Sequence, residues 1–448
     1  MRKNTKTPLF GTFRKAHYMA LAANKKEITT EETLQRTEDA VMTRRKFLEN
    51  TSKTALITGL IGLNTEGSFL GKNPPRIVIV GAGIAGLSAL HTFKKAGLEA
   101  TVYEASGRTC GRMFTVQNVM GEGTWTEFGD EFIDTNHADM WALAKEFNLE
   151  MIDYAQASEA KLTKEAFFFK GKHHTLKEVV EEFRYFADKI KADAERLPEN
   201  ISTEGYKTKD PYIKKLDKMS LSQYLENIGA HGWIKTFIEV AYESEYGLSP
   251  QVQSAINLPI LISTDTIGDK LELFGDSDER YKVRGGNQSI PDALAKKYDN
   301  HIELNRSLEA ISRRATDEYE LGFSGLSTPV KADFVVIAIP FSRLKNVDIC
   351  LKMPQVKWDS INTMGFGTNA KLMLGMSKHY WREQGFQGLC YSDVGIPNGW
   401  DNAQLQTGDN ETAGLSILFG GPSGVTLGHG TPASLAKGYF FTQMASHF

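Results

Sequence analysis

The chain has 448 residues, of which 41% are apolar and 24% are charged, and its formal net charge is -3 at pH 7. This composition is that of an ordinary globular protein, and it excludes a disordered or collagen-like chain. The length corresponds to about three folding units.

Charge is unevenly distributed along the chain. Residues 1–50 contain 11 Lys or Arg and 6 Asp or Glu, so they carry +5, which leaves -8 for the remainder. A nucleic-acid groove needs clustered positive charge, and a body of negative sign does not offer it. We therefore expect no nucleic-acid partner.

The three cysteines, Cys110, Cys350 and Cys390, are far apart in sequence and form no Cys-x-x-Cys pair. Their spacing indicates neither a zinc site nor a disulfide framework. The sequence therefore predicts no bound metal.

Two arginines, Arg44 and Arg45, precede a modest apolar run at residues 55–63 that is interrupted by glycines. This order resembles a bacterial twin-arginine export signal, which we place at residues 43–63 within an N-terminal extension of residues 1–74. The alternative is an amphipathic helix with a basic start. The apolar run is about nine residues long, which is too short to cross a bilayer where about 20 are needed.

The predicted signal has consequences for the cellular location of the protein and for the position of its natural first residue. Twin-arginine export predicts a periplasmic protein that contacts the export machinery, and the alternative leaves the protein in the cytoplasm. Residues 1–41 have no sustained apolar period, so we expect them to stay unpacked. Met42, directly before the motif, indicates a natural start there, and no cleavage site is obvious before Pro74.

A short run of β-branched residues at 76–80 is typical of a strand that is buried on both faces. It is followed at once by Gly81, Gly83 and Gly86 in Gly-x-Gly-x-x-Gly spacing, and then by a helical pattern at residues 85–96. Such glycines permit a tight turn and the close approach of a pyrophosphate, which the helix N-terminus faces.

An acidic residue follows at the position that dinucleotide binding needs. A second strand is predicted at residues 99–103, and Glu104 follows it, 18 residues after Gly86. A carboxylate at this position accepts hydrogen bonds from the adenosine ribose. The sequence therefore predicts a dinucleotide site.

The residues that follow distinguish flavin from nicotinamide. Residues 104–112 read Glu-Ala-Ser-Gly-Arg-Thr-Cys-Gly-Arg, and this stretch resembles the signature of the flavin-containing amine oxidase family. Two arginines of the stretch can neutralise a buried pyrophosphate. The resemblance runs from residue 75 to the end of the chain and implies FAD as the cofactor. Cys110 and Asp130 stand where the family usually has glycine.

The resemblance also implies which residues hold FAD. In the family, a residue on the strand pair near residues 302–311 offers its backbone to the adenine, and Leu308 is that position here. The predicted FAD-binding residues are Gly81, Gly83, Ala85, Gly86, Glu104, Ala105, Arg108, Gly111, Arg112, Gly129 and Leu308.

The implied fold class is α/β, with a Rossmann-like FAD-binding domain and a discontinuous α+β substrate domain. We assign residues 75–135 and 283–345 to the FAD-binding domain, and residues 136–282 and 346–448 to the substrate-binding domain.

Periodicity supports this division. Between residues 138 and 274, apolar residues recur mostly at helical spacing, whereas alternating stretches at residues 372–376 and 415–419 are typical of strands. The family has a further Gly-Glu pair and a final helix, and no such junction follows residue 430. We therefore expect a chain that is shortened at its C-terminus.

The catalytic candidate is Lys371, at the entry to a predicted strand. In the family, a lysine at the matching place, upstream of a tryptophan resembling Trp381, reaches a water at the flavin N5. A cation there stabilises negative charge that arises on the flavin or on reduced oxygen. The alternative is a surface lysine on a strand.

The resemblance implies oxidation of a small-molecule amine or amino acid to an imine, with dioxygen as acceptor and hydrogen peroxide as product. Amino-acid-oxidising relatives place an arginine close after the glycine that matches Gly129, whereas Phe132 stands near that place here. An amine without a carboxylate is therefore favoured.

A polar cluster near a predicted helix end is a candidate binder of a cationic amine, and a solvated helix end is its alternative. The cluster consists of Tyr242, Glu243, Glu245 and Tyr246.

Two rival functions stay open. A desaturase or porphyrinogen-type oxidase would use the same fold with a wider, more apolar cavity. A catalytically silent remnant would keep the fold, bind FAD poorly and serve as a nucleotide-binding or interaction module. The colour of the purified protein separates the remnant from an enzyme, because bound flavin absorbs visible light.

Overall fold

The computed structural model of the chain describes residues 8–35, 74–156, 158–198, 201, 207–261, 278–407, 411–429 and 434. The predicted export signal at residues 43–63 lies outside the described residues, so export stays a prediction. Among the helices of the described residues, none has the length and apolar character needed to cross a membrane.

Helices and strands are intermixed along the described residues. The helices are α1 (Pro8–Lys26), α2 (Ile84–Lys95), α3 (Ala138–Glu146), α4 (Leu176–Arg184), α5 (Ala187–Arg196), α6 (Pro211–Lys218), α7 (Leu221–Ile228), α8 (Gly232–Tyr246), α9 (Asn257–Leu261), α10 (Ser289–Lys297), α11 (Phe341–Leu344), α12 (Gln355–Thr363), α13 (Tyr380–Glu383) and α14 (Gly421–Leu427). The strands are β1 (Ile77–Val80), β2 (Ala100–Tyr103), β3 (Thr115–Gln117), β4 (Trp125–Glu127), β5 (Met151–Asp153), β6 (Thr163–Phe169), β7 (Lys172–His174), β8 (Tyr281–Val283), β9 (Ile302–Glu303), β10 (Leu308–Arg313), β11 (Tyr319–Phe323), β12 (Val330–Ala332), β13 (Phe334–Ile337), β14 (Asp348–Cys350), β15 (Ala370–Met376), β16 (Phe386–Ser392), β17 (Gly399–Asp401) and β18 (Ala413–Phe419).

A parallel sheet in the order β13-β1-β2-β9 forms the centre of the predicted dinucleotide-binding part. Successive side chains of a strand point to opposite faces, so β1 supplies both layers of the core. On one face, Ile79 packs with Leu87 of α2 and Leu294 of α10. On the other face, Val78 packs with Leu321 of the sheet β12-β11-β10-β14.

The strand, helix and strand predicted around the glycine turn are confirmed. β1, α2 and β2 begin and end within one residue of the predicted bounds. The boundaries that we assigned to the two domains stay predictions.

The second large sheet is mixed and has the order β15-β18-β17-β16-β6-β7. β15 and β18 pair antiparallel, from Ala370 opposite Phe419 to Met376 opposite Ala413. This pairing confirms the strands predicted at residues 372–376 and 415–419.

The described part of residues 138–274 is mostly helical, as expected, except at β5, β6 and β7. β6 pairs parallel to β16, with Ala166 opposite Cys390, so its partner lies more than 200 residues away along the chain. The three consecutive phenylalanines at 167–169 are consistent with either a buried helix or a buried strand. Pairing with the distant strand β16 determines that they form a strand.

The expectation of an unpacked N-terminus is wrong for residues 8–26, which form α1. Phe13 is fully buried, and its ring centroid lies 5.0 Å from that of Phe183 and 5.5 Å from that of Tyr242. A chain beginning at Met42 would lack this helix. Other fully buried apolar residues of α1 are Ala16, Met19, Ala20 and Ala23.

Candidate functional site

The glycine turn between β1 and α2 has the shape that a dinucleotide needs. Gly81 has φ +103°, and a Cβ atom there would lie 2.9 Å from the side chain of Ile339. A Cβ atom at Gly86 would lie 1.9 Å from the carbonyl oxygen of Gly81, so only glycine lets α2 pack this closely. At Gly83 the nearest atom would be 3.9 Å away, which leaves this face of the turn open.

The N-terminus of α2 is available to an anion. Gly83 is the N-cap residue, and no side-chain hydrogen bond caps the helix there. The N–H groups of the first helical turn have no acceptor within the helix, so they favour a phosphate in front of them. Ala85 lies in this turn and is exposed.

Glu104 holds the turn together at the end of β2. Its Oε2 accepts a hydrogen bond from the N–H of Ala82 at 2.8 Å, and its Oε1 accepts bonds from the N–H and hydroxyl of Ser106 at 2.9 and 2.8 Å. An ionised carboxylate can accept about four hydrogen bonds, so room for one ribose hydroxyl remains. The neighbouring Ala105 is exposed.

The two arginines of the signature do different things. The Arg108 guanidinium donates to the carbonyl oxygens of Thr109 and Gly111 at 3.1 and 2.9 Å, and it lies 4.5 Å from the ring centroid of Phe114. It therefore braces its own loop. The Arg112 side chain is exposed, and Arg112 is the better placed cation for a pyrophosphate.

The Cys110 thiol is directed to Asp292 of α10. The φ of Cys110 is +74°, a conformation that favours glycine, and its thiol donates to Oδ1 of Asp292 at 3.0 Å. Burial, together with the Asp292 carboxylate, raises the pKa of this thiol to about 12. The thiol therefore stays neutral and adds no negative charge beside the glycine turn.

Gly129 joins this loop to the rest of the site. A Cβ atom at Gly129 would lie 1.6 Å from the carbonyl oxygen of Arg112, so only glycine fits. Gly111, next to Arg112, lies against Gly83, since a Cβ atom at Gly111 would be 3.1 Å from the Gly83 Cα. Asp130 is exposed, and its backbone N–H donates to the same Arg112 carbonyl oxygen at 3.3 Å.

Leu308 lies beside the end of β2. It is buried at the start of β10, and two residues earlier the N–H of Arg306 donates to the carbonyl oxygen of Glu104 at 2.7 Å. The structure thus brings Leu308 to the predicted site. Its contact with adenine stays a prediction.

Lys371 reaches the same region from β15. Its Nζ donates to the carbonyl oxygens of Gly129 at 2.7 Å and Glu127 at 3.2 Å, and to Oε2 of Glu131 at 3.1 Å. Its side chain is 18% exposed, and these three acceptors use all three donors of the ammonium. Lys371 is therefore a bridge between β15 and the Glu127–Glu131 turn, and not a surface lysine.

Three residues around Lys371 were missed by sequence reasoning. Glu131 is buried, and its Oε1 accepts bonds from the Lys282 ammonium at 2.6 Å and from the Trp400 indole N–H at 2.7 Å. Lys282 is buried with 1% of its side chain exposed. Sequence reasoning had no local signal for this pair, because Lys282 lies between Arg280 and Arg284 in a charged stretch.

The tryptophan ring near Lys371 is that of Trp400, and not that of Trp381. Trp381 is fully buried, and its indole N–H donates to Oδ2 of Asp401 at 3.2 Å. The Lys371 Nζ instead lies 5.5 Å from the ring centroid of Trp400.

The polar cluster at the end of α8 was predicted either to bind an amine or to be exposed to solvent. Its member Tyr242 is not exposed. Tyr242 is fully buried, and its hydroxyl donates to the carbonyl oxygen of Leu258 at 3.2 Å. Burial raises the pKa of Glu243, which lies against Gly421. Tyr242 is therefore a core residue.

Asp401 gives the fold a pH dependence. Its carboxyl is buried beside Trp381 and His379. Burial raises its pKa to about 7, although the positive charge of Arg382 acts to lower the pKa. The folded state thus holds this proton more tightly than the unfolded state. Stability from this group is present at low pH and is lost as pH rises from about 4 to about 7.

We therefore expect Asp401→Asn to reduce this pH dependence. The free energy of unfolding of the variant, minus that of the wild type, should increase as pH rises from 5 to 8. The check is urea unfolding of both proteins across this range. A difference that stays constant with pH would show that Asp401 does not titrate there.

Together these features define the class of protein. A parallel sheet, a glycine turn with an open helix N-terminus and an acid at the end of β2 form a dinucleotide site. Lys371 adds a cation at the end of this site where Gly129 lies.

Comparison with known proteins identifies the family. A model of the flavin containing amine oxidoreductase family matches residues 84–417, and the chain belongs to this family. The resemblance stated from the sequence is therefore confirmed, as is FAD, the cofactor of the family.

Curated relatives are distant in sequence. A flavin-containing amine oxidase of Danio rerio is 24% identical over 323 residues, which cover 70% of this chain and 59% of the relative. An L-amino-acid oxidase of Demansia vestigiata is 24% identical over 383 residues, which cover 80% of this chain and 70% of the relative. This chain therefore spans well under two thirds of the length of the first of these proteins.

Solved structures show the same fold. Cyclohexylamine oxidase from Brevibacterium oxydans IH-35A has a TM-score of 0.70 at 17% identity, covering 84% of this chain and 82% of that one. Putrescine oxidase bound to putrescine has a TM-score of 0.68 at 18% identity, with the same coverage. The predicted α/β fold, with its Rossmann-like domain and α+β substrate domain, is confirmed.

The residues present fit the adenine diphosphate part of FAD. The face of Gly83 is open, the first turn of α2 offers N–H groups, and Arg112 supplies an exposed cation. The roles of the individual residues stay predictions.

Proposed function

We propose that this protein is an FAD-dependent oxidase of small-molecule amines. The reaction removes two electrons and two protons from the carbon and nitrogen of the amine, which becomes an imine. Dioxygen takes up both electrons and both protons and leaves as hydrogen peroxide. Membership of the family supports the oxidation of an amine or an amino acid.

The observation that carries this proposal is a continuous set of contacts from the glycine turn to Lys371. Gly83 contacts Gly111, and Arg112 contacts Gly129. The Gly129 carbonyl oxygen accepts a hydrogen bond from the Lys371 ammonium at 2.7 Å. These contacts connect the turn at which we expect the phosphates with the cation of Lys371.

When bound, FAD supplies the electron acceptor for the amine carbon. The turn at Gly81 and the helix N-terminus hold the diphosphate. Lys371 would supply a positive charge for the negative charge that develops when FAD is reduced, and a fixed charge in a partly buried site stabilises such charge well.

The substrate that we propose is an amine without a carboxylate. Phe132 stands near the place where an arginine would clamp a carboxylate, and its ring lies 6.2 Å from that of Trp400 and 4.6 Å from the Lys282 ammonium. An aromatic ring cannot form the paired hydrogen bonds with which an arginine holds a carboxylate. The Lys282 ammonium beside the ring is already paired with Glu131, so the ring suits an apolar carbon chain better than an anion.

A panel of amines and amino acids, scored by catalase-sensitive peroxide release, tests this function. We expect primary amines to be oxidised faster than the amino acids of matching side chain. A clear preference for amino acids would overturn the substrate assignment. Absence of peroxide from every compound, with FAD bound, would overturn the oxidase.

A further inference from the structure

A cluster of closely packed charges includes Lys371. It consists of one carboxylate, Glu131, and two ammonium groups, those of Lys282 and Lys371. The side chain of Lys282 is 1% exposed and that of Glu131 is 4% exposed. Charges are rarely buried to this extent unless they are paired, and here one carboxylate is paired with two ammonium groups.

Both oxygens of Glu131 are used, and they face different partners. Oε1 accepts from Lys282 at 2.6 Å and from the Trp400 indole at 2.7 Å, whereas Oε2 accepts from Lys371 at 3.1 Å. Lys282 and Trp400 therefore hold one oxygen of the carboxylate, and the other oxygen faces Lys371. Burial by itself would raise the pKa of Glu131, but the two lysines lower it below its usual value, so this carboxylate stays ionised.

Lys282 is itself fixed by its surroundings. Its Nζ lies 4.6 Å from the ring centroid of Phe132 and 5.1 Å from that of Tyr154, so two aromatic faces flank the ammonium. Phe132 directly follows Glu131 in sequence. The Glu131 carboxylate therefore has little freedom to move away from Lys371.

We propose that Glu131 is a positioning residue for Lys371, held in place by Lys282 and Trp400. The inference rests on the proposed function, in which Lys371 acts beside the flavin ring. The Lys371 ammonium has three N–H donors. The carbonyl oxygens of Glu127 and Gly129 accept hydrogen bonds from two of them, and the Glu131 carboxylate accepts from the third. Glu131 also lies between the two ammonium groups, so it screens Lys371 from Lys282.

A double-mutant cycle between Glu131 and Lys371 tests the inference. The probe is sulfite, which adds to the flavin N5 and leaves a negative charge on the ring that a nearby cation stabilises. Its dissociation constant is measured from the bleaching of the flavin absorption, in the protein loaded with FAD. This readout does not require turnover of an amine.

E131Q removes a negative charge beside Lys371, which by itself would tighten the binding of the anionic adduct. We expect it instead to weaken sulfite binding about tenfold or more, because the charged hydrogen bond that fixes Lys371 is lost. K371M should weaken it further. In the K371M background, E131Q should no longer weaken sulfite binding, because Glu131 then has nothing left to position. An E131Q effect of the same size in both backgrounds would overturn the inference, since Glu131 would then act independently of Lys371.

A second set of variants covers the case in which E131Q does not fold. E131Q leaves Lys282 buried without its counter-charge, whereas E131Q/K282M removes that ammonium as well. The same cycle is then run with K282M as the starting protein. The same non-additivity is expected there, and additive effects would again overturn the inference.

Glu159→Gln is the matched control. Glu159 is also a buried glutamate, and its carboxylate is bound by Arg382 at 2.8 Å and by Gln404 at 2.7 Å. We expect E159Q to lower thermal stability without changing sulfite binding. Weakening equal to that of E131Q would attribute the effect to general destabilisation and overturn the inference. If K371M leaves sulfite binding unchanged, the proposed role of Lys371 fails first, and the inference fails with it.

Discussion

Replacement of Lys371 by methionine is expected to slow oxidation of the amine by about 100-fold or more while FAD remains bound. Methionine has similar length and lacks the charge. The loss follows because Lys371 is the cation at the end of the contact path from Gly83, and preorganised charge in a partly buried site has large effects on transition states. Rapid mixing of the loaded enzyme with amine, followed by the flavin absorption, measures this step.

Lys378→Met is the control for this replacement. Lys378 is close in sequence, and its ammonium pairs with Glu383 at the surface. We expect wild-type rates from this variant. If K371M reduces its flavin as fast as the wild type, Lys371 has only the structural role of joining β15 to the Glu127–Glu131 turn.

Phe13→Ala is expected to lower the free energy of unfolding by about 3–5 kcal/mol. The Phe13 ring is fully buried between Phe183 and Tyr242, so truncation leaves a cavity that these rings cannot fill without moving. Domains are stable by only about 5–15 kcal/mol, so this single change removes a large part of the total. Thermal and urea unfolding of the full chain measure the loss.

Lys25→Ala, on the same helix, is the matched control because Lys25 is exposed. Its effect should stay within about 0.5 kcal/mol. Equal stabilities of the Phe13→Ala variant and the wild type would mean that α1 is not part of the folded core. The original expectation of an unpacked N-terminus would then be correct after all.

The dinucleotide site could be predicted from sequence because its signals are local. The strand before Gly81, the three glycines and Glu104 lie within 28 consecutive residues and obey simple steric rules. Their conformations are the expected ones: Gly81 has a positive φ, and Gly86 packs against the carbonyl oxygen of Gly81.

Other features depend on partners that are distant in sequence. The fully buried apolar residues of α1 are at helical spacing, but three of the five are alanines, so the apolar face is weak in sequence until Phe183 and Tyr242 cover it. Glu131 and Lys282 are 151 residues apart, and only the fold brings them within 2.6 Å. A single sequence carries no signal for such a pair, because Lys282 lies between Arg280 and Arg284 in a charged stretch.

Direct titration of the purified protein with FAD tests the central claim, that the turn at Gly81 and the cation at Arg112 hold this cofactor. We predict a yellow preparation with flavin absorption bands, or an apoprotein whose unfolding temperature rises as FAD is added. A colourless protein whose unfolding temperature does not respond to FAD would contradict the account.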